Sequence, residues 1–224
     1  ESGSQNAEVH ATGEVWSSML WQCYTNLLRD KGRLDYEEAT KRMRAYLVAG
    51  LKLTPKSPTV LEARDALLSA MYAADKADFK LCAKGFAERG AGVGAKGPGK
   101  TSFDNVGVTE SFVSGNDLEV VSVTLDPSTE SCDGDGALDV GETGTLTIRL
   151  RNIGVDTLSK TTATVSSKTG TYTFGEGGKI TFPAFEPFQT VEAKISVTLQ
   201  KAASASKQEI VVGLPYDCEG NEGK

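Results

Sequence analysis

Glu8-Val9-His10-Ala11-Thr12-Gly13-Glu14-Val15-Trp16-Ser17-Ser18-Met19-Leu20-Trp21 is the stretch that decides how the first half of this 224-residue chain folds. Starting at Val9, apolar or small residues return at Gly13, Trp16, Leu20, Cys23 and Leu27, which is helical spacing. Trp21, Tyr24 and Leu28 make a second stripe, so this helix is expected to be buried on more than one side. Its first turn carries His10, the only histidine in the chain. Gly13 and Ser17 share a face with it and leave room above the ring. A lone imidazole beside small residues at the mouth of a buried helix suits a site. It also suits a hydrogen-bonded surface or core histidine.

Three further helices follow. Arg29-Asp30-Lys31-Gly32 reads as a helix end, with Gly32 available for the left-handed position after it. Asp35 and Glu38 are spaced as a capping box for a second helix. Its expected buried face is Tyr36, Ala39, Met43, Tyr46, Leu47, Gly50 and Leu51. Pro55 and Pro58 break the chain. Thr59 and Glu62 form another capping box, and Val60, Ala63, Leu67, Met71 and Ala74 face inward on the third helix. Phe79, Cys82, Ala83 and Phe86 line one side of a fourth, which Gly90 ends. Residues 1–94 are therefore expected to form an α-helical lobe.

Residues 95–117 begin Gly-rich and show no helical period, so they read as a linker that holds the domain boundary. From 118 the period becomes two. Val121, Val123 and Leu125 alternate with polar neighbours, as do Leu146, Ile148 and Leu150, and Val191 through Leu199. Shorter runs lie at 162–166, 171–174, 179–182 and 210–214. About seven short strands separated by Gly, Pro, Asn and Asp turns predict an antiparallel immunoglobulin-like β-sandwich over 118–224. The fold class is thus multidomain α plus β. Asp133, Asp135, Asp139 and Glu142 are the acid cluster expected for calcium, which takes hard oxygen ligands on a tight loop. Their spacing is not that of an EF-hand, and an acidic surface turn explains them as well.

Lys and Arg number 24 against 30 Asp and Glu, a net charge of −6. With a pI near 5.0 and no basic cluster among aromatics, nucleic acid is not an expected partner. No apolar run approaches the roughly eighteen residues of a membrane span. The chain does not begin with Met and has no signal peptide, so it is expected to be a piece of a processed precursor. None of the four cysteines belongs to a CxxC pair. Their distribution suggests one disulfide per domain, Cys132–Cys218 and Cys23–Cys82, the latter open to being two buried thiols. Disulfides imply an oxidising, extracellular compartment.

The run Val9-His10-Ala11-Thr12-Gly13-Glu14-Val15-Trp16, continued by Met19-Leu20-Trp21, resembles the active-site-histidine helix of the fungalysin (M36-type) secreted zinc metallopeptidases, which are related to thermolysin. Gly50-Leu51-Lys52-Leu53-Thr54-Pro55, Glu62-Ala63-Arg64-Asp65-Ala66-Leu67-Leu68 and Lys84-Gly85-Phe86-Ala87-Glu88-Arg89-Gly90 are similar to that family's closing segments, in order and spacing. Asp133 through Thr147 resembles sandwich modules appended to bacterial secreted peptidases.

The resemblance implies that the chain is the C-terminal portion of a secreted zinc endopeptidase acting on peptide or protein substrates. It implies that His10 donates a hydrogen bond to the oxyanion of the tetrahedral intermediate. In such enzymes two His from an HExxH helix and a Glu hold the metal. One histidine cannot supply two, so the zinc ligands are expected on an upstream half-domain, and this chain alone is expected to be inactive. The relatives place an Asp five residues before the catalytic His. Here that position is Gln5, next to Asn6, and Glu8 is the nearest acid; these three are the candidates for orienting His10. The other reading is a processed, non-catalytic extracellular module that binds or assembles through its β-sandwich.

Overall fold

The computed structural model describes residues 8–130, 134–135, 137–168, 170–201 and 210–213. Four helices precede strands arranged in two antiparallel sheets, so the chain is mixed α and β. It divides into two compact units, Glu1–Gly115 and Asn116–Lys224.

The helices of the first unit are α1 (Val9–Arg29), α2 (Tyr36–Leu53), α3 (Val60–Ala74) and α4 (Lys76–Ala87). Glu8, rather than a Ser, Thr or Asp, caps α1, its carboxylate accepting from the Ala11 amide at 2.9 Å. Gly32 does not take the left-handed conformation expected of it. The chain leaves α1 through Asp30 instead, whose carbonyl accepts from the amides of Arg33 and Leu34, so the turn closes without a positive φ. Asp35 accepts from the Glu38 amide at 2.8 Å, but the Glu38 carboxylate turns to Arg42, also at 2.8 Å, and leaves the capping box half made. Thr59 and Glu62 form the full box. Asp75 ends α3 and caps α4.

The core joins Cys23 and Leu27 of α1, Met43 of α2, Met71 of α3, and Phe79 and Phe86 of α4. A disulfide links Cys23 to Cys82, both fully buried. Gly85 is what allows α1 and α4 to come so close. A Cβ there would lie 2.8 Å from the Cys23 nitrogen, which is backbone and cannot rotate aside. At one point of α4 a charge is buried where the apolar pattern gives no warning. Asp78 is 0% exposed and is held by Arg33, by Arg42 at 3.1 Å and by the Tyr46 hydroxyl, which donates at 2.6 Å.

Two sequence expectations differ from this packing. The second stripe of α1 is not buried as a whole: Trp21 is 64% exposed, and Tyr24 and Leu28 are half-buried. On α2, Tyr36 and Leu51 are exposed. The reason is geometric. α1 packs mainly on α4 through its Met19, Cys23 and Leu27 face, and none of the described helices covers the Trp21 side.

Much of the stretch read as a linker is bound to the helical unit. Ala91 bridges Ser111, and Lys96 exchanges backbone hydrogen bonds with Thr109. Arg64 donates to the carbonyls of Ala91 and Gly92 at 2.8 and 2.9 Å, and Lys100 pairs with Glu62 at 2.8 Å. The division between units falls after Gly115, close to the end of 95–117.

The second unit has strands β1 (Leu118–Glu130), β2 (Thr143–Asn152), β3 (Thr161–Ser167), β4 (Tyr172–Phe174), β5 (Lys179–Phe182), β6 (Thr190–Leu199) and β7 (Ile210–Gly213). One sheet runs β1-β2-β6-β4 and the other β5-β3-β7. Leu146, Ile148 and Leu150 of β2 and Val191, Ile195 and Val197 of β6 share one buried core with Ala163, Val165, Ile180 and Phe182 of the smaller sheet. A bulge between Val120 and Ser122 shifts the alternation of β1. Val120, Val123 and Leu125 therefore lie opposite the core residues Leu150, Ile148 and Leu146, where the plain alternation had grouped Val121 with Val123 and Leu125. Buried Asn152 fixes the corner after β2, donating to the carbonyls of Asp156 and Phe185 and accepting from the Gly154 amide. Cys132 and Cys218, the expected second disulfide, lie outside the described residues.

Candidate functional site

The first turn of α1 uses one carboxylate twice. Glu8 Oε2 caps the helix through the Ala11 amide, while Oε1 lies 2.6 Å from His10 Nδ1. The carboxylate can only accept, so Nδ1 carries the proton and the imidazole tautomer is set. The His10 hydrogen bond, then the amides of Ala11 and His10, hold the Glu8 carboxyl below its ordinary range. The His10 side chain is 88% exposed, and its Nε2 meets no hydrogen-bond partner among the described residues. An outward Nε2 accepts a hydrogen bond when the ring is neutral and donates one when it is protonated.

Against the first turns of α1 is a depression of about 530 Å³. Val9, Thr12, Gly13 and Trp16 of α1 form one side, and Ser102, Phe103 and Asn105 the other. Gly13 contributes open space, since a Cβ there would have no neighbour within 4 Å. The Ser102–Val106 loop is set by its own polar groups. Ser102 Oγ donates to Asp104 Oδ1 at 3.0 Å, and the amides of Asn105 and Val106 donate to Ser102 Oγ and Asp104 Oδ1. Asn105 sits at φ 53°, a conformation that Asn tolerates better than most residues. Its Nδ2 reaches Thr12 Oγ1 at 3.5 Å, and that hydroxyl donates to the Glu8 carbonyl at 3.1 Å. Glu8, bonded to His10, and the Ser102–Val106 loop are thus tied to the same helix cap.

Trp16, stacked at 5.9 Å from the Phe86 ring, also borders a second, apolar groove of about 440 Å³. Leu20, Leu47, Leu51, Val60 and Ala63 line that groove between α1, α2 and α3.

Of the three residues considered for orienting His10, Glu8 lies against it; Gln5 and Asn6 are outside the described residues. Arg64 is bonded to Asp65 and to the Ala91 and Gly92 carbonyls, so it fastens the segment after α4. Among the described residues, Asp135, Asp139 and Glu142 of the acid cluster expected for calcium form no group placed to hold a metal. Asp135 accepts from the Ala137 amide at 2.7 Å, and Glu142, buried at 4% exposure, accepts from the Asp139 amide at 2.9 Å. These carboxylates brace their own turn, and Asp133 is outside the described residues. No group of three His, Cys, Asp or Glu placed to hold a metal occurs among the described residues, so they do not fit zinc either. Nor is any described helix long and apolar enough to cross a membrane.

The loop at Ser102–Val106 was missed by sequence reasoning, although Ser-Phe-Asp-Asn is the composition of a side-chain-closed turn. Nothing in one dimension says that it meets a helix some ninety residues earlier.

The fungalysin metallopeptidase (M36) family model matches residues 1–95. Among curated proteins, extracellular metalloproteinase 5 of Arthroderma benhamiae is 36% identical over an alignment of 112 residues, covering 45% of this chain and 18% of that protein. Extracellular metalloproteinase 1 of Trichophyton equinum is 38% identical over 100 residues, covering 40% of this chain and 16% of that protein. Its counterpart in Trichophyton rubrum gives the same figures. The N-terminal part of the chain is fungalysin-like, and the match spans less than a fifth of the relatives' length.

Proposed function

We propose that the helical unit is the C-terminal lobe of the catalytic domain of a secreted zinc endopeptidase, and that His10 is its oxyanion-stabilising residue. The observation that carries this reading is an exposed imidazole whose Nδ1 is occupied by Glu8 and whose Nε2 meets no hydrogen-bond partner among the described residues, inside a fungalysin-like segment. When protonated, Nε2–H donates to the oxygen that becomes negative as the peptide carbonyl is attacked. A single preorganised donor of that kind contributes roughly 10²–10³ in kcat. Glu8 keeps the ring in place, so little reorganisation is needed as charge develops. The bound metal would supply the activated water of hydrolysis, on ligands contributed by upstream polypeptide of the complete protein. The second unit, with two antiparallel sheets around one core, is on this reading an immunoglobulin-like β-sandwich accessory module.

The test is kinetic. In the complete protein that contains this chain, His10→Ala lowers kcat on an internally quenched peptide by about two to three orders of magnitude, with KM changed little. An unchanged kcat removes His10 from the chemistry.

One observation favours a second reading, a non-catalytic extracellular module. The edge strand β1 leaves Val120, Val123 and Leu125 between 40% and 43% exposed, which suits a partner along that edge. If the complete protein binds zinc but cleaves no peptide, that reading takes precedence.

A further inference from the structure

We propose that the open edge of β1 takes an added strand from another protein, an extended segment in which apolar residues alternate with Lys or Arg. The proposal rests on the reading of β1 as an edge that carries a partner, and it holds whether or not the complete protein cleaves peptides.

Among the described strands, the two sheets end in β1, β4, β5 and β7. Three of these are short: β4 has 3 residues, β5 has 4 and β7 has 4. Shortness is one way to keep an edge from pairing. β1 has 13 residues, and among the described strands it pairs with β2 alone. Lys and Pro also blunt edges, yet Leu118 to Asp126 contain neither, and Pro127 comes only after them. The bulge between Val120 and Ser122 interrupts this stretch once.

The two faces of the edge offer different chemistry. On the core side, Val120, Val123 and Leu125 lie opposite the buried Leu150, Ile148 and Leu146 of β2. They remain exposed because β1 is the outermost strand and packs mainly on β2. Apolar side chains set beside them would leave water together with them. On the outer side, Glu119 lies opposite Arg151, and Ser122, Thr124 and Asp126 lie opposite Arg149, Thr147 and Thr145.

Charges on that outer side alternate from strand to strand. Glu192 of β6 is opposite Arg149 of β2, and Arg151 of β2 is opposite Glu119 of β1. A base on the next strand outward continues the series beside Glu119. The surrounding sequence has the same sign: from Thr101 to Ile148 it holds Asp and Glu but no Lys, Arg or His. A second copy would set an equally acidic edge against this one, and like charges oppose that pairing. A basic strand is attracted. In strand addition the backbone supplies affinity and alternate side chains supply choice. Apolar residues on one face and bases on the other satisfy both sides of β1.

The test uses the 224-residue chain labelled with ¹⁵N and three peptides. One alternates Val with Lys, the second has Glu in place of each Lys, and the third has the composition of the first with its Lys residues gathered at one end. The alternating Lys peptide should shift the amides of Val120 to Leu125, and its Kd should rise about fivefold or more between about 50 and 300 mM NaCl. The other two peptides should bind about tenfold more weakly or worse. Val123→Lys, at an exposed position outside the buried core, should weaken the Lys peptide about tenfold or more. Glu119→Gln, the milder variant, should weaken it about threefold and narrow its lead over the Glu peptide.

If the Lys and Glu peptides shift β1 equally, the edge still carries a partner and the basic chemistry is wrong. If no peptide shifts β1 at up to about 1 mM, the reading of β1 as an edge with a partner falls as well. Shifts that survive Val123→Lys overturn the proposal. So does a chain that sediments as a dimer with its β1 amides protected from exchange, since a second copy then occupies the edge.

Discussion

Replacing Asp78 by alanine should destabilise the helical unit more than any exposed substitution in it. The Asp78 carboxylate has no solvent contact and binds Arg33, Arg42 and Tyr46. Burial, then Asp78, pushes the Tyr46 phenol up, so its proton stays on and the hydroxyl is a committed donor. In the variant the Tyr46 hydroxyl, on a residue only 6% exposed, loses that acceptor. An orphaned buried hydroxyl costs about 1–3 kcal/mol. The arginines fare better, because each is roughly 30% exposed and Asp75 remains to both, with Asp30 for Arg33 and Glu38 for Arg42. Their loss therefore falls below the roughly 3–5 kcal/mol of breaking a fully buried pair. Together the cost is about 3–4 kcal/mol, or a Tm lower by roughly 15 °C or more for a unit of this size. Differential scanning calorimetry of the 224-residue chain would resolve it, with Tyr46→Phe as the control. That control keeps both arginines on Asp78 and should cost about 1 kcal/mol. The reasoning fails if Asp78→Ala costs less than about 1 kcal/mol, or no more than Tyr46→Phe does.

Other consequences can be checked on the same chain. Removing the disulfide with Cys23→Ala and Cys82→Ala frees a loop of sequence separation 59 and should cost about 4 kcal/mol in the chain-entropy model; urea unfolding with an unchanged midpoint argues against it. Gly85→Ala gains helix propensity but drives a methyl into the Cys23 backbone, so it should destabilise by about 1–3 kcal/mol, and a stabilised variant would mean that α1 and α4 are not in contact there. Acid should weaken this unit. Arg42, then Lys41, lowers the Glu38 carboxyl, and Lys100, then the Thr59 amide, lowers that of Glu62. Burial opposes the same shift at Asp75, but the Asp78 amide and then Arg42 outweigh it. Groups with depressed folded values stabilise fully above the unfolded carboxylate range near pH 4 and lose that contribution as pH falls through the folded values. The circular-dichroism Tm should be nearly level from about pH 7 to 5 and fall below about 4; a level Tm down to about pH 2 contradicts the assignment.

What was legible in the sequence follows from how local the cause is. Helical periods and caps are local, so four helices and the Thr59–Glu62 box could be read directly. The paired β2 and β6 could also be read, because strict alternation assigns one face to the core. β1 misled because one extra residue at the bulge moves every later side chain to the other face. Gly32 misled because the exit from α1 is closed by the Arg33 and Leu34 amides donating to the Asp30 carbonyl, which no residue type announces. The exposure of Trp21 and Leu51 depends on how many elements surround a helix, and periodicity does not count neighbours. At the site, His10 and Glu8 were legible because they share one helical turn. Phe103, Asn105 and the Asp78 network were not, since each is assembled from segments distant in the chain.

The central claim is that His10 acts on the transition state rather than on folding or substrate binding. The most direct measurement pairs two constants for His10→Ala in the complete protein: kcat/KM for a peptide, and Ki for a phosphinic analogue of that peptide, whose tetrahedral oxygen occupies the oxyanion position. Both should worsen by about the same factor, roughly 10²–10³, while the affinity of a cleaved product peptide stays the same. A variant whose kcat/KM and Ki both remain within about threefold of wild type would contradict the account.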